Sequence, residues 1–178
     1  SNSEFMYTKG QNAYAYDIYL KSIRTLPFSV ATKVRQPLLF SNGSGYMAHL
    51  ENGLAFGVKD HQDEITSDID GIVIGETVHR SEFGITDGLF PSPHFNKLAY
   101  YEMDERMVTQ YPLYQLSDTP ATAQMLRYPT AGSLSHHVVV KIKNMHDSSA
   151  PVLIKTDGDP EQYLTNVSWS PDEKYVLI

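Results

Sequence analysis

The chain has 178 residues, a formal net charge of −7 at pH 7 and no cysteine. This length fits either one domain with a sizeable core or several repeats of a larger domain. The acidic balance argues against a general nucleic-acid surface, and the lack of cysteine excludes disulfides and thiolate metal ligands.

The first 37 residues form a tyrosine-rich segment whose secondary structure the sequence leaves open. Tyr14, Tyr16 and Tyr19 have a spacing that fits either a strand or a helix. Pro27 and Pro37 argue against one long helix, because proline interrupts the backbone hydrogen bonds of a helix interior. We therefore treat 1–37 as an N-terminal segment of open structure.

From Leu38 onward the sequence has the pattern of short strands separated by turns. Asn52-Gly53 stands between two apolar runs, 47–50 and 54–58. Asn-Gly between apolar runs is the strongest short-range signal of a β-hairpin, since both residues tolerate the positive φ of its turn. We therefore predict a hairpin at this point.

Later strands are expected on either side of a long connection. The run 72–74 is short and apolar, and 138–142 has the strongest strand character in the chain. Residues 151–155 are placed to pair with 138–142. The proline-containing connection 106–135 is typical of an insertion that carries a binding surface on one face of a repeat protein.

Three segments share one plan: an apolar strand end, a tight turn at serine, and an apolar residue six positions after that serine. The serine and apolar residue of each copy are Ser41 and Met47, Ser92 and Leu98, and Ser170 and Val176. Recurring units of short strands are typical of β-propeller blades. We therefore predict an all-β fold, a partial β-propeller of about three antiparallel blades in residues 38–178, truncated at the start of its next blade.

A polar cluster between apolar anchors in 78–85 is the first candidate for a binding site. Glu82 could accept charge-assisted hydrogen bonds from a ligand's ammonium group. Arg80 could orient that carboxylate or bind a carboxylate itself through its planar guanidinium. The alternative is a short helical or turn segment whose charges are merely solvated, and the spacing alone favours this alternative.

A second acidic cluster follows a predicted strand. Asp104 and Glu105 could place two carboxylates near a ligand, and together with Glu82 they are the only candidates for a carboxylate pair of the glycosidase type. The structural alternative is an acidic turn in which Asp104 caps a helical turn. The sequence favours the structural alternative.

Neither a metal site nor a nucleophile is expected in this chain. His136 and His137 are adjacent on a predicted strand, so they point to opposite faces and do not share one ion easily. His146 and Asp147 fall in a predicted hairpin loop. The serine in 43–45 lacks the G-x-S-x-G spacing of a nucleophile elbow. We therefore expect no catalytic residue, no metal and no cofactor in this chain.

Several long motifs in the same order resemble one enzyme family. The stretches 71–85, 90–113, 128–132 and 163–172 resemble the N-terminal propeller of dipeptidyl peptidase IV-like serine peptidases of the prolyl oligopeptidase clan. Among them are Tyr-Pro-Thr-Ala-Gly at 128–132 and Trp-Ser-Pro-Asp within 163–172. Together the resemblance covers roughly residues 45–178.

This resemblance implies the domain architecture and the activity of a longer parent protein. The propeller would cap a C-terminal α/β-hydrolase domain that carries a Ser-Asp-His triad, and it would gate and bind the substrate peptide. Glu82 matches a glutamate that binds the free N-terminus of the substrate, and Arg80 occupies a neighbouring position. Hydrolysis is expected of the parent, a serine-type dipeptidyl peptidase, and not of this chain alone.

The resemblance and the composition also bear on location and assembly. Bacterial members of the family are mostly exported to the periplasm, although this chain shows no signal-peptide pattern and no apolar run long enough to span a membrane. Unpaired edge strands of an open propeller favour a homo-oligomer.

Some positions depart from the family pattern. Ser81 stands where bacterial relatives commonly have a second acid, so a clamp of two carboxylates would be incomplete. Pro91 replaces a tryptophan and Glu102 replaces a common arginine. The competing hypothesis is a stand-alone binding or scaffold protein that kept the propeller blades and lost the peptidase.

Overall fold

The computed structural model describes residues 3–178, and of Arg80 it describes the backbone alone. Every pairing between strands is antiparallel, in three larger sheets and two separate hairpins. This confirms the predicted all-β fold of the partial-propeller type. No helix in the described part of the chain is long and apolar enough to cross a membrane.

The first sheet lies in the N-terminal segment that the sequence left open between helix and strand. Its strands in spatial order are β1 (Glu4–Lys9), β2 (Asn12–Asp17) and β3 (Ser22–Ser29). Alternation along β2 buries Ala13 and Ala15, while Tyr14 faces outward and stacks on Tyr7 with ring centroids 5.5 Å apart. The spacing of Tyr14 and Tyr16 therefore reflects the two-residue period of a strand, whereas Tyr19 lies in the exposed turn after it.

The second sheet contains a central strand, Gly53–Val58, that is buried on both faces. Its strands are β4 (Leu38–Leu39), β5 (Gly45–Leu50), β6 (Gly53–Val58) and β7 (His61–Thr66). Leu50 pairs with Gly53, which confirms the hairpin predicted at Asn52-Gly53. Gly57 is required by close packing, because a Cβ there would lie 2.5 Å from the ring of Tyr46.

The third sheet contains the strongest predicted strand and the inserted connection. Its strands are β8 (Ile72–Ile74), β9 (Leu89–Pro91), β10 (Lys97–Asp104), β13 (His137–Asn144) and β14 (Val152–Leu153). The connection between β10 and β13 forms a separate hairpin of β11 (Gln110–Gln115) and β12 (Thr122–Arg127). The predicted pairing of 138–142 with 151–155 is confirmed by β13 and β14.

The three repeated turns have the same backbone hydrogen bonds, but the first copy lies one residue earlier than the serine spacing predicts. In each copy one amide bonds the carbonyl five residues later, and these donors are Phe40, Ser92 and Ser170. The residue three positions after each donor has a positive φ: Gly43 at 70°, Phe95 at 60° and Glu173 at 57°. Phe40, and not Ser41, is therefore the equivalent of Ser92 and Ser170. The last copy joins β15 (Ser168–Trp169) to β16 (Val176–Leu177).

Neighbouring sheets pack face to face, as propeller blades do. One buried cluster joins the first and second sheets around Leu26 and Tyr46, and another joins the second and third around Phe56 and Tyr100. A third cluster lies on the outer face of the third sheet, where Trp169 packs against it. This third cluster also contains Val78 and Ile85, the two ends of the candidate binding segment.

Candidate functional site

The candidate segment forms a short 3₁₀ helix, His79–Gly84, between two buried anchors. Val78 and Ile85 are only 1% and 4% exposed, so both ends of the segment are fixed in the third core cluster. The six residues between them form the short helix. The polar residues predicted from the sequence are therefore presented together on a compact turn.

The backbone of this turn is unusual for its residue types. His79, Ser81 and Phe83 have φ values of 49°, 60° and 55°. The left-handed region is unfavourable for residues with a Cβ, at a cost of about 1–2 kcal/mol each. Tertiary contacts must hold this turn in place, since the local sequence does not favour it.

Glu82 is exposed and lines a cavity of about 270 Å³ beside the turn. The remaining lining residues are His79, Tyr128, Pro129, Ser135, His136 and Tyr163. They come from the turn, from the end of the inserted connection and from the segment before β15. The cavity therefore combines one carboxylate with tyrosine rings, two imidazoles and a serine hydroxyl.

Two histidines at the base of the cavity form a buried pair. His136 Nε2 lies 2.9 Å from His79 Nδ1, and the two side chains are 7% and 5% exposed. Burial, and secondarily the nearby His136, lowers the pKa of His79 to about 4. At neutral pH His79 is uncharged, so one imidazole donates its N–H to the other.

Sequence reasoning missed this pair and considered His136 and His137 instead. His136 is buried against His79, and the next residue, His137, begins β13, where it pairs with Asp104. His79 and His136 are 57 positions apart, and no local pattern signals their contact. No group of three or more metal-ligating side chains occurs among the described residues.

Two other predicted features of the turn have different outcomes. The side chain of Arg80 lies outside the described residues, so its pairing with Glu82 stays a prediction. Ser81 is exposed, and its hydroxyl lies 3.3 Å from Thr77 Oγ1. No second carboxylate from this turn stands beside Glu82.

The acidic residues after β10 belong to a different place in the molecule. Asp104 accepts hydrogen bonds from the backbone amide and the guanidinium of Arg106, at 2.7–3.0 Å. The bond from the Arg106 side chain lowers the pKa of Asp104 to about 2. Glu105 lies 3.8 Å from Arg127 Nε. Neither carboxylate lines the cavity beside Glu82, which favours the structural reading of this turn.

Comparisons with known proteins agree on one family. The family model of the dipeptidyl peptidase IV N-terminal region matches residues 11–178. A structure from Bacteroides ovatus, described as a dipeptidyl aminopeptidase IV, is 34% identical with a TM-score of 0.77, over 98% of this chain and 24% of that chain. Porphyromonas gingivalis dipeptidyl peptidase 4 is 19% identical with a TM-score of 0.70, over 98% of this chain and 26% of that one. The chain thus spans about a quarter of the length of these two proteins.

Proposed function

Since the chain belongs to the family of dipeptidyl peptidase IV N-terminal regions, we propose that it binds the free N-terminus of a substrate peptide. In this role it is the non-catalytic propeller portion of a serine exopeptidase, and it gates access to a C-terminal α/β-hydrolase domain of the parent chain. The observation that carries the proposal is Glu82, an exposed carboxylate at a 270 Å³ cavity.

The electrostatics of the cavity support an ammonium ligand. A carboxylate attracts an ammonium group more strongly where neighbouring side chains exclude part of the water. Tyr128, Pro129 and Tyr163 supply such walls. His79 adds no competing positive charge, because its pKa of about 4 keeps it neutral at pH 7.

The site differs from a clamp of two acids. Ser81 presents a hydroxyl where a second acid would stand, so Glu82 is the only carboxylate that the described turn offers. We propose Arg80 as the residue that orients Glu82 or binds a carbonyl of the peptide. A single charge contact predicts weaker discrimination of free N-termini than two would provide.

A Gly-Pro chromogenic substrate tests the proposal in the parent chain and in this chain. We expect hydrolysis by the parent only, a requirement for a free amino group, and a higher KM in E82Q. The matched control is E51Q, because Glu51 is also exposed but lies in the turn between β5 and β6. Equal KM values for E82Q and E51Q would contradict the role of Glu82. Peptide binding without hydrolysis in the parent would instead favour a stand-alone binding protein.

Self-association and export are further parts of the proposal. The β11–β12 hairpin forms a two-stranded sheet of its own, and Tyr111, Leu113 and Met125 on it are about half exposed. Isolated two-stranded sheets are marginally stable in water, so covering this hairpin with a second copy is favourable. Light scattering over a concentration series tests this, and a sharp monomer throughout would contradict it.

We assign the parent to the periplasm on family membership, and fractionation of the native host checks that assignment.

A further inference from the structure

We propose that the buried imidazole pair, His79 with His136, positions Glu82 for the substrate ammonium group. This inference rests on the proposed function. It adds two residues at the base of the cavity that act on the amine site through the backbone of the turn.

The turn that carries Glu82 needs an external constraint. His79, Ser81 and Phe83 all occupy the left-handed region, at φ of 49° to 60°. A free segment of this sequence would relax toward the favoured negative φ values and would carry Glu82 to other positions. The described side chains make no hydrogen bond to the Glu82 carboxylate, so the position of Glu82 depends on its neighbours in the chain.

Contacts from other elements hold both ends of the turn. At the first residue, His79 bonds His136 at 2.9 Å, and its ring centroid lies 4.2 Å from that of Tyr163. Next to Glu82, the ring of Phe83 meets the same Tyr163 edge-on at 4.8 Å. Glu82 is therefore flanked by residues that share one aromatic partner, and the histidine pair ties this group to the start of β13.

The pair is suited to this role because it is buried and directional. A hydrogen bond between two buried imidazoles orients both rings and couples their tautomers, because one ring must donate and the other accept. His79 Nε2 is buried and finds no partner among the described residues, so the bond to His136 supplies the ring's orientation. Loss of this bond frees the first residue of the strained turn while the hydrophobic anchors Val78 and Ile85 stay in the core.

Binding experiments on this chain test the inference with two probes, the peptide Gly-Pro-Gly-Pro and its N-acetylated form. H136F keeps an aromatic ring but removes the hydrogen bond, whereas H136Q keeps an amide nitrogen near the position of Nε2. We expect H136F to weaken binding of the free-amine peptide at least tenfold by calorimetry and to weaken binding of the acetylated peptide far less, although His136 lines the cavity. We expect H136Q to bind within threefold of the original chain. Circular dichroism confirms that each variant is folded.

A second variant covers the case in which H136F does not fold. Tyr163 is 53% exposed, so Y163A removes the shared ring contact with little loss of buried core. Because Tyr163 also lines the cavity, Y163A should weaken binding of both probes, and positioning predicts that the free-amine peptide loses more affinity than the acetylated one. If Tyr163 acts only through direct contact with the peptide, Y163A weakens binding of both probes by the same factor, and this result would overturn the inference.

The E82Q variant separates this inference from the proposed function. Suppose that E82Q weakens binding of the free-amine peptide, whereas H136F and Y163A bind this peptide as tightly as the original chain does. The positioning role is then wrong, and the amine site at Glu82 stands. If E82Q has no effect on either probe, the proposed function fails and the positioning role fails with it.

Discussion

Two adjacent tyrosines on β10 offer a matched test of how the third sheet is stabilised. Tyr100 and Tyr101 are 0% and 1% exposed and point to opposite faces of the strand. The hydroxyl of Tyr101 donates a hydrogen bond of 2.5 Å to the carbonyl of Leu164. The hydroxyl of Tyr100 is buried and has no hydrogen-bond partner among the described residues.

The same change, tyrosine to phenylalanine, therefore has different consequences at the two positions. In Tyr101→Phe the carbonyl of Leu164, a residue only 4% exposed, loses its donor. A buried acceptor left unsatisfied costs about 1–3 kcal/mol, so we expect the free energy of unfolding to fall by about 2 kcal/mol. Tyr100→Phe removes a buried hydroxyl that makes no bond, so the expected change is near zero or stabilising.

Urea unfolding followed by far-UV circular dichroism measures the free energy of unfolding of both variants. We expect equal slopes against urea and a difference of about 2 kcal/mol between the two variants. The reasoning is refuted if the two variants differ by less than about 0.5 kcal/mol, or if Tyr100→Phe is the more destabilising.

Two further predictions concern the last repeated turn and the histidine pair. Glu173 is 6% exposed and accepts hydrogen bonds from the His94 amide and the Asn96 side chain, so Glu173→Ala should lower the free energy of unfolding by about 2–3 kcal/mol. Because its φ is 57°, Glu173→Gly should cost about 1 kcal/mol less than Glu173→Ala in the same urea assay, and the reverse order would contradict the strain argument. The pKa of His79 is about 4 when folded and 6.5 ordinarily, so the unfolded chain binds the extra proton and stability should fall as pH drops from 6.5 to 4, by at most about 3 kcal/mol. Urea unfolding across this pH window checks the slope, which should be smaller in H79F; equal slopes would exclude His79 as its source.

The strands that local sequence signals define were predictable, and the exact register of the repeat was not. Asn52-Gly53 carries its own turn geometry, so the hairpin follows from two residues. The repeated turn, in contrast, is set by the residue with positive φ, which is Gly43 in the first copy but Phe95 and Glu173 in the others. Phenylalanine and glutamate do not indicate a positive φ from the sequence alone. Aligning the three copies by their serines therefore placed the first copy one residue too late.

In the candidate site, too, the features within one segment were predictable from the sequence, and the contacts between distant segments were not. Glu82 was found from its own segment, because the surrounding motif resembles one family. The contact between His79 and His136 depends on how β13 approaches the turn, and 57 residues separate them. The expectation that His136 and His137 do not share one metal rested on strand geometry, and that geometry gave no sign of the contact of His136 with His79.

The single tryptophan of the chain gives the seam between two repeats an optical signal of its own. Trp169 packs on the third core cluster, and its indole N–H donates a 2.8 Å hydrogen bond to the carbonyl of Phe90, in the preceding repeat. Indole emission therefore follows the docking of the last hairpin, whereas circular dichroism follows all the sheets. Coincident transitions by the two methods mean that the repeats unfold as one unit, and separate transitions mean that the array comes apart from one end.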